Sequence, residues 1–127
     1  MANVSVNSFF IILQIDVKPF EETHDGLRPF MIAPTAIIRG TGATFNIPII
    51  EVEDTTGYYN SNLNNKALKA IENITSPNYD FGFVHIKAVD DTGHDKDLKK
   101  KIEQLEKVDK AVGIIIESLG ELSNELE

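Results

Sequence analysis

Short apolar runs alternate along this chain with segments of helical period, and this alternation restricts the fold more than any other feature. Strands are predicted at residues 8–16, 30–33, 47–53 and 80–86, and helices at residues 36–43, 60–74 and 97–119. Alternating strands and helices favour a parallel sheet with right-handed crossovers and helices on its faces. We therefore predict an α/β fold with a mostly parallel sheet flanked by helices.

The ends of the predicted helices carry capping signals. Thr35 is placed to cap the first helix, and Ser61 or Asn62 the second. The last helix is the most regular, with apolar residues spaced by three and four: Leu98, Ile102, Leu105, Val108, Val112, Ile115 and Leu119. Either Asp95 or Asp97 is placed to accept its free N–H groups, and Gly120 is predicted to end it.

The predicted strand DFGFVHI, residues 80–86, is apolar without interruption. Such a strand is typical of a parallel sheet that is covered on both faces. His85 lies within it and is predicted to be a hydrogen-bonded core histidine, with a metal ligand as the alternative. The 127 residues are enough for one domain, so residues 1–127 are predicted to form a single α/β domain. A long helix in such a sheet normally leads to another strand. We therefore expect the chain to be a piece of a longer domain.

Composition excludes several classes of protein. The formal net charge is −8, and Lys99–Lys101, the densest positive run, lies on a helix that also carries Glu103 and Glu106, so we expect no nucleic-acid partner. Cysteine is absent, which excludes disulfides and thiolate metal sites and fits a cytoplasmic location. The apolar run at residues 8–15 is shorter than the roughly 20 residues that a membrane span needs, so no membrane association is predicted.

The segment KAVDDTGHDKD, residues 87–97, follows a predicted strand and precedes the last helix. Ligands of parallel α/β sheets gather outside the carboxyl ends of the strands. Asp90 and His94 would converge there if Gly93 let a loop fold sharply, and such a pair suits Mn²⁺, Zn²⁺ or Mg²⁺. The alternative for Asp90 and His94 is a helix-capping aspartate and a surface histidine. Asp91 is predicted to be an exposed loop carboxylate, with a third metal ligand as its alternative.

Two long blocks carry a family resemblance. YDFGFVHIKAVDDTGHDKDLKKKIEQLEKVDKAV and FEETHDGLRPFMIAPTAIIRGTGATFNIPIIEVEDTTGYYNSNLNNKALKAIE resemble segments of archaeal-type, 2,3-bisphosphoglycerate-independent phosphoglycerate mutases, which belong to the alkaline phosphatase superfamily. The resemblance covers roughly residues 18–119. It implies that residues 1–127 form part of a phosphatase-like metalloenzyme domain, with residues 1–29 as a poorly matched entry strand and loop.

The resemblance also implies a site and a reaction. Asp90 and His94 would be ligands of one ion in a two-metal centre, with Mn²⁺ as the implied ion and Mg²⁺, Zn²⁺ and Co²⁺ as alternatives. Arg39 and Lys87 would bind the anionic substrate. The enzyme would interconvert 3-phosphoglycerate and 2-phosphoglycerate in glycolysis through a metal-assisted phosphoenzyme, without 2,3-bisphosphoglycerate. Its serine or threonine nucleophile has no counterpart here, so this chain would be inactive without the remainder of the full-length enzyme.

Some positions depart from the family pattern. Lys96 stands where glycine is usual, and Asp54 and Thr55 replace a more common Gly-Ala pair. Two alternatives to a mutase stay open. The chain could belong to another phosphotransferase or phosphohydrolase of the same superfamily, or it could be a non-catalytic α/β domain.

Overall fold

The computed structural model describes residues 17–125. The described elements are α1 (Phe20–Thr23), β1 (Pro29–Ile32), α2 (Ala36–Thr44), α3 (Leu63–Ile74), β2 (Phe81–Val84), α4 (Ala88–His94) and α5 (Leu98–Glu125). The order confirms the predicted α/β class. The strand predicted at residues 8–16 lies outside the described residues, and α1 lies within a segment that the sequence predicted to be a loop.

The sheet is parallel and is organised around β1. Strands β1 and β2 pair from Pro29 opposite Phe81 to Ile32 opposite Val84. The other edge of β1 meets the chain at one parallel bridge between Met31 and Ile49. The strand predicted at residues 47–53 is therefore wrong in extent. The Pro48 carbonyl accepts from the Met31 N–H at 2.8 Å, and the Ile50 N–H donates to the Met31 carbonyl at 2.8 Å. Pro48 itself has no N–H to donate to a neighbouring strand.

Both faces of β1 are covered. Phe30 and Ile32 pack against Ala70 of α3, and Met31 and Ala33 pack on the opposite face with Ile47. All four residues of β1 are buried. The core of the described residues is thus centred on β1, as the sequence predicted for a buried strand.

Strand β2 differs from its prediction. Phe81 and Phe83 are 38% and 43% exposed, so the strand is not covered on both faces. Gly82 explains the close packing on the other face, because a Cβ there would lie 2.5 Å from the Phe30 ring. The unbroken apolar run predicted a strand correctly but not its exposure in this chain.

Helices α3 and α5 pack against each other through Leu63, Ala67 and Ala111. Asn62 caps α3, since its Oδ1 accepts from the Asn65 N–H at 3.1 Å. Asp97 stands before α5, where its Oδ1 accepts from the Lys100 N–H at 2.9 Å. Both caps agree with the sequence prediction.

Two predictions about helix ends were wrong. Thr35 precedes α2 but makes no side-chain capping bond. Gly120 does not end the last helix, which continues to Glu125. A glycine ends a helix by taking a positive φ, and among the described glycines Gly26 has a positive φ whereas Gly120 does not. None of the helices that the structure describes combines the length and apolarity needed to cross a bilayer.

Candidate metal and substrate site

Helix α4 begins just beyond the carboxyl end of β2. The chain is held at this junction because the His85 N–H donates to the Ile32 carbonyl at 2.8 Å. Ala88 and Thr92 are the buried residues of α4. Their four-residue spacing places them on one helix face. Asp90 and His94, with the same spacing, occupy an exposed face at the edge where parallel sheets bind ligands.

Asp90 and His94 are brought together. The His94 Nε2 lies 3.4 Å from the Asp90 Oδ2, and the two side chains are 76% and 70% exposed. Their convergence comes from one turn of α4, where residues four apart are neighbours. The predicted sharp loop at Gly93 is therefore wrong, since Gly93 lies within the helix. An exposed pair of this kind contributes little to stability.

The pair supplies donor atoms suited to a divalent ion, namely one carboxylate and one imidazole nitrogen. Within residues 17–125, no three histidine, aspartate or glutamate side chains come together as a larger ligand set. Two protein ligands are fewer than the three or four of an ordinary zinc site. The residues present thus fit part of a metal centre and leave other positions of the coordination sphere open.

Lys87 and Asp91 form a second pair on the same helix. The Lys87 Nζ lies 2.7 Å from the Asp91 Oδ1. This hydrogen bond raises the pKa of Lys87. The Asp91 side chain is only 20% exposed, so the predicted exposed carboxylate is wrong. Its Oδ2 is buried without a hydrogen-bond partner among the described residues, because Lys87 takes up one carboxylate oxygen only.

Arg39 lies on α2 and pairs with Glu51. One guanidinium nitrogen donates to the Glu51 Oε2 at 3.0 Å, and a second donates to Oε1. This bidentate contact raises the pKa of Arg39 and lowers that of Glu51. Since Glu51 occupies the guanidinium, an anionic substrate would have to compete with that carboxylate.

Two open cavities flank α4. One, of about 270 Å³, is lined by Thr35 and His85 together with Lys87 and Asp90. The other, of about 210 Å³, is lined on the His94 side by Tyr58, Tyr59, Asp91, His94 and Asp95. Asp90 and His94 therefore stand between two concave surfaces, and each contributes to one of them.

Sequence reasoning missed Tyr59. Its hydroxyl donates to Asp95, and this bond raises the pKa of Tyr59 to about 12. The Lys100 ammonium lies 4.8 Å from the centre of the Tyr59 ring. The two contacts tie the loop before α3 to the end of α4 and to the first turn of α5. No spacing in the sequence joins residues 36 positions apart, so nothing in the pattern pointed to this contact.

Sequence reasoning also missed Lys66, which is only 1% exposed. Its Nζ donates to the His85 carbonyl at 3.0 Å, and burial lowers its pKa. A usable signal existed, because Lys66 lies three residues after Leu63 on the buried face of α3. The ammonium fixes the backbone at the junction that leads from β2 into α4.

His85 was predicted to be a hydrogen-bonded core histidine. Its ring is half-buried, and its Nδ1 has no hydrogen-bond partner among the described residues. Burial lowers the pKa of His85, and the charges of Lys66 and Lys87 lower it further. The predicted hydrogen bond is thus absent from this part of the chain, although the backbone of His85 is bonded on both sides.

Residues 13–125 match the family described as the metalloenzyme superfamily. The chain belongs to this superfamily. Membership agrees with the resemblance drawn from the two sequence blocks, and the family's description implies the use of a divalent metal ion. The match includes every predicted site residue: Arg39, Lys87, Asp90 and His94.

Similar proteins carry a more specific name. The chain is 34% identical over 104 residues to a 2,3-bisphosphoglycerate-independent phosphoglycerate mutase of Methanococcus aeolicus, covering 82% of this chain and 25% of the relative. It is 39% identical over 92 residues to phosphoglycerate mutase 1 of the same type from Archaeoglobus fulgidus, covering 72% and 22%. The predicted family resemblance is therefore confirmed.

A solved structure supports the fold of this superfamily member. The structure of the PH0037 protein from Pyrococcus horikoshii aligns with a TM-score of 0.75 at 31% identity, covering 83% of this chain and 26% of that one. The chain thus spans about a quarter of the length of the proteins that it matches.

Proposed function

We propose that this chain is part of a metal-dependent phosphoglycerate mutase that interconverts 3-phosphoglycerate and 2-phosphoglycerate without 2,3-bisphosphoglycerate. One observation carries the proposal. The His94 Nε2 lies 3.4 Å from the Asp90 Oδ2 on the exposed face of α4, just beyond the carboxyl end of β2. The relatives of this chain bear this enzyme's name. This helical turn presents one carboxylate and one imidazole nitrogen to solvent, and both are donor groups for a divalent cation.

In this proposal Asp90 and His94 hold one divalent ion, with Mn²⁺ expected first and Mg²⁺, Zn²⁺ or Co²⁺ as alternatives. Such an ion, when bound, neutralises phosphoryl oxygens and activates a nucleophile. The remaining ligands and the serine or threonine nucleophile belong to the other three quarters of the relatives' length. Residues 1–127 would accordingly be part of a phosphatase-like domain, with residues 1–29 leading into it.

Lys87 and Arg39 would bind the anionic substrate. Each now pairs with a carboxylate, Lys87 with Asp91 and Arg39 with Glu51. Substrate binding would then exchange a carboxylate partner for a phosphate or carboxylate of phosphoglycerate, and Arg39 offers the bidentate geometry for this exchange. As a glycolytic enzyme the full-length protein would act in the cytoplasm.

The proposal is tested by assaying a full-length protein that contains this sequence on 3-phosphoglycerate with Mn²⁺, coupled to enolase. Asp90→Asn and His94→Gln should each lower turnover by about 100-fold or more, because loss of a direct ligand exceeds the 10–100-fold effect of supporting residues. Asp109→Asn, an exposed change on α5, is the matched control and should leave turnover unchanged. No turnover with added Mn²⁺ would remove the mutase proposal.

The second candidate concerns the chain by itself. Within residues 17–125 no set of three metal-binding side chains comes together, which favours a non-catalytic α/β domain when the remainder is missing. The 127-residue chain should therefore show no mutase turnover in the same assay. Turnover by the chain alone would mean that it carries a complete centre. Hydrolysis of other phosphate esters by the full-length protein would favour another enzyme of the alkaline phosphatase superfamily.

A further inference from the structure

Helix α5 carries a row of apolar side chains that the other described residues leave exposed. The row begins at Leu98 and recurs at alternating spacings of four and three residues as far as Leu119, with Asp109 as its one polar interruption. This spacing is the heptad pattern of a coiled coil. The apolar members, which we call the α5 stripe, are between 38% and 72% exposed: Leu98, Ile102, Leu105, Val112, Ile116 and Leu119.

A different face attaches α5 to the rest of the domain. Ala111 lies in the core with two residues of α3, and Val108 and Ile115 pack against the same cluster. At 3.6 residues per turn, this face is rotated by roughly 100° from the α5 stripe. Because the two faces are distinct, α5 can keep its contact with α3 while the stripe packs against another helix.

The charges along α5 are unevenly distributed. Residues 98–110 contain five lysines and three acidic residues, whereas residues 111–122 contain Glu117 and Glu121 and no basic residue. The helix is therefore basic near its start and acidic towards its end. A parallel copy would place like charges together, but an antiparallel copy would place Lys99 beside Glu117 and Glu121 of the second helix. Charged residues that flank a heptad stripe set the partner and its orientation in this way.

An antiparallel copy also matches the stripe with itself. When the two stripes overlap most fully, Ile102 packs opposite Leu119 of the second copy, and Leu105 packs opposite Ile116 of the second copy. A shallow groove of about 450 Å³ lies near the middle of this stretch, where Leu105 forms part of its lining. The stripe is about 32 Å long at 1.5 Å per residue. Such a contact lies at the small end of stable interfaces, so we expect a Kd of about 10–100 μM.

We propose that the α5 stripe binds a second copy of this chain, with the two α5 helices antiparallel and related by a twofold axis. The same residues of each copy then form both halves of the contact, as an interface with twofold symmetry requires. The burial of six apolar side chains from each copy drives the association. The inference goes beyond the proposed function and does not depend on it.

Sedimentation velocity of the 127-residue chain at about 5–500 μM, a range that brackets this Kd, measures the self-association. We expect a monomer–dimer equilibrium. Ile116→Gln should raise the Kd about tenfold or more, because it places a polar amide in the apolar contact. Ile37→Gln is the matched control, since it makes the same change at a 78% exposed isoleucine of α2, and it should leave the Kd unchanged. Circular dichroism should show the same helix content in both variants, because both side chains are exposed.

The orientation of the two helices is tested by cross-linking, which the absence of native cysteine makes specific. Leu105→Cys and Ile116→Cys chains should form a mixed disulfide when they are combined under oxidising conditions. Neither should link efficiently to itself, because identical positions of the two stripes lie too far apart in the antiparallel pair. Efficient self-linking of Leu105→Cys would indicate a parallel pair and would overturn the antiparallel arrangement.

Two further results would overturn the inference. A chain that stays monomeric up to about 500 μM, well above the expected Kd, would assign the stripe to another segment of a longer polypeptide. Equal Kd values for Ile116→Gln and Ile37→Gln would place the contact between copies on a different surface.

Discussion

The two strand–helix units, β1–α2 and β2–α4, begin with strands of equal length and similar apolarity but are embedded to different depths. All four residues of β1 are buried, whereas three of the four residues of β2 are exposed. Strand β1 has a neighbour on each edge and packing on each face, while β2 pairs with β1 alone among the described residues. Apolar content therefore predicts that a segment forms a strand, but its neighbours determine how deeply it is buried.

The largest expected effect contrasts one phenylalanine from each strand. Phe30→Ala should cost about 3–5 kcal/mol in the free energy of unfolding, because Phe30 is 1% exposed and lies at the centre of the core. Phe83→Ala should cost less than about 1 kcal/mol, since the ring is already 43% exposed. Urea unfolding followed by circular dichroism measures both. Equal losses would contradict the difference in burial.

A second comparison uses two glycines. Gly82→Ala in β2 should destabilise by about 1–3 kcal/mol, because the new Cβ would lie 2.5 Å from the Phe30 ring. Gly113→Ala in α5 meets no atom within 4 Å and should stabilise the helix by about 0.5–1 kcal/mol. Thermal unfolding of the two variants should therefore shift in opposite directions. A stabilising Gly82→Ala would show that the two strands pack less closely than described.

The residues that follow the two units provide a third comparison. Asn46 follows α2 with a φ of 57°, and Lys96 follows α4 with a φ of 54°. Asparagine adopts this left-handed conformation more readily than lysine, for which it costs roughly 1–2 kcal/mol. Lys96→Gly should raise the free energy of unfolding by about 1 kcal/mol, and Asn46→Gly should change it much less. A destabilising Lys96→Gly would mean that the lysine side chain contributes more than its backbone costs.

The smallest expected effect concerns the ion pair that joins the starts of the two strands. Arg28 Nε lies 2.8 Å from Asp80 Oδ2, and this contact lowers the pKa of Asp80 to about 2 from 3.8. The folded pKa lies below the unfolded value, so the stabilisation is present above about pH 4 and is lost as the pH falls towards 2. Asp80→Asn should lower the urea midpoint slightly at pH 7, and the difference should vanish near pH 2.

Glu72→Gln is the control for this comparison, because Glu72 pairs with Lys69 on the exposed surface of α3. It should leave the urea midpoint nearly unchanged at both pH values. A pH-independent effect of Asp80→Asn would show that the side chain acts by packing and not by its charge.

The sequence predicted much of this fold because local signals sufficed for it. Helical period located α3 and α5, and the caps Asn62 and Asp97 act as predicted. Lys96 and Asp54 stand where the resemblance places a usual glycine, and both residues have positive φ. A position that favours glycine keeps its backbone conformation even when another residue occupies it.

The remainder depends on contacts between distant residues. The period of the last helix could not show that Gly120 continues it, since helix ends depend on which backbone conformation the glycine takes. The Tyr59–Asp95 bond and the bond from Lys66 to the His85 carbonyl each depend on packing between separate elements. The spacing of Asp90 and His94 predicted their convergence, but it came from a helical turn and not from a loop.

The central claim is that Asp90 and His94 form one incomplete cation site on this chain. It is tested most directly by titrating the 127-residue chain with Mn²⁺ and following paramagnetic broadening of its NMR signals. We expect broadening centred on Asp90 and His94, with roughly millimolar affinity, that disappears in Asp90→Ala. Nanomolar binding, or broadening centred elsewhere and unchanged in Asp90→Ala, would contradict it.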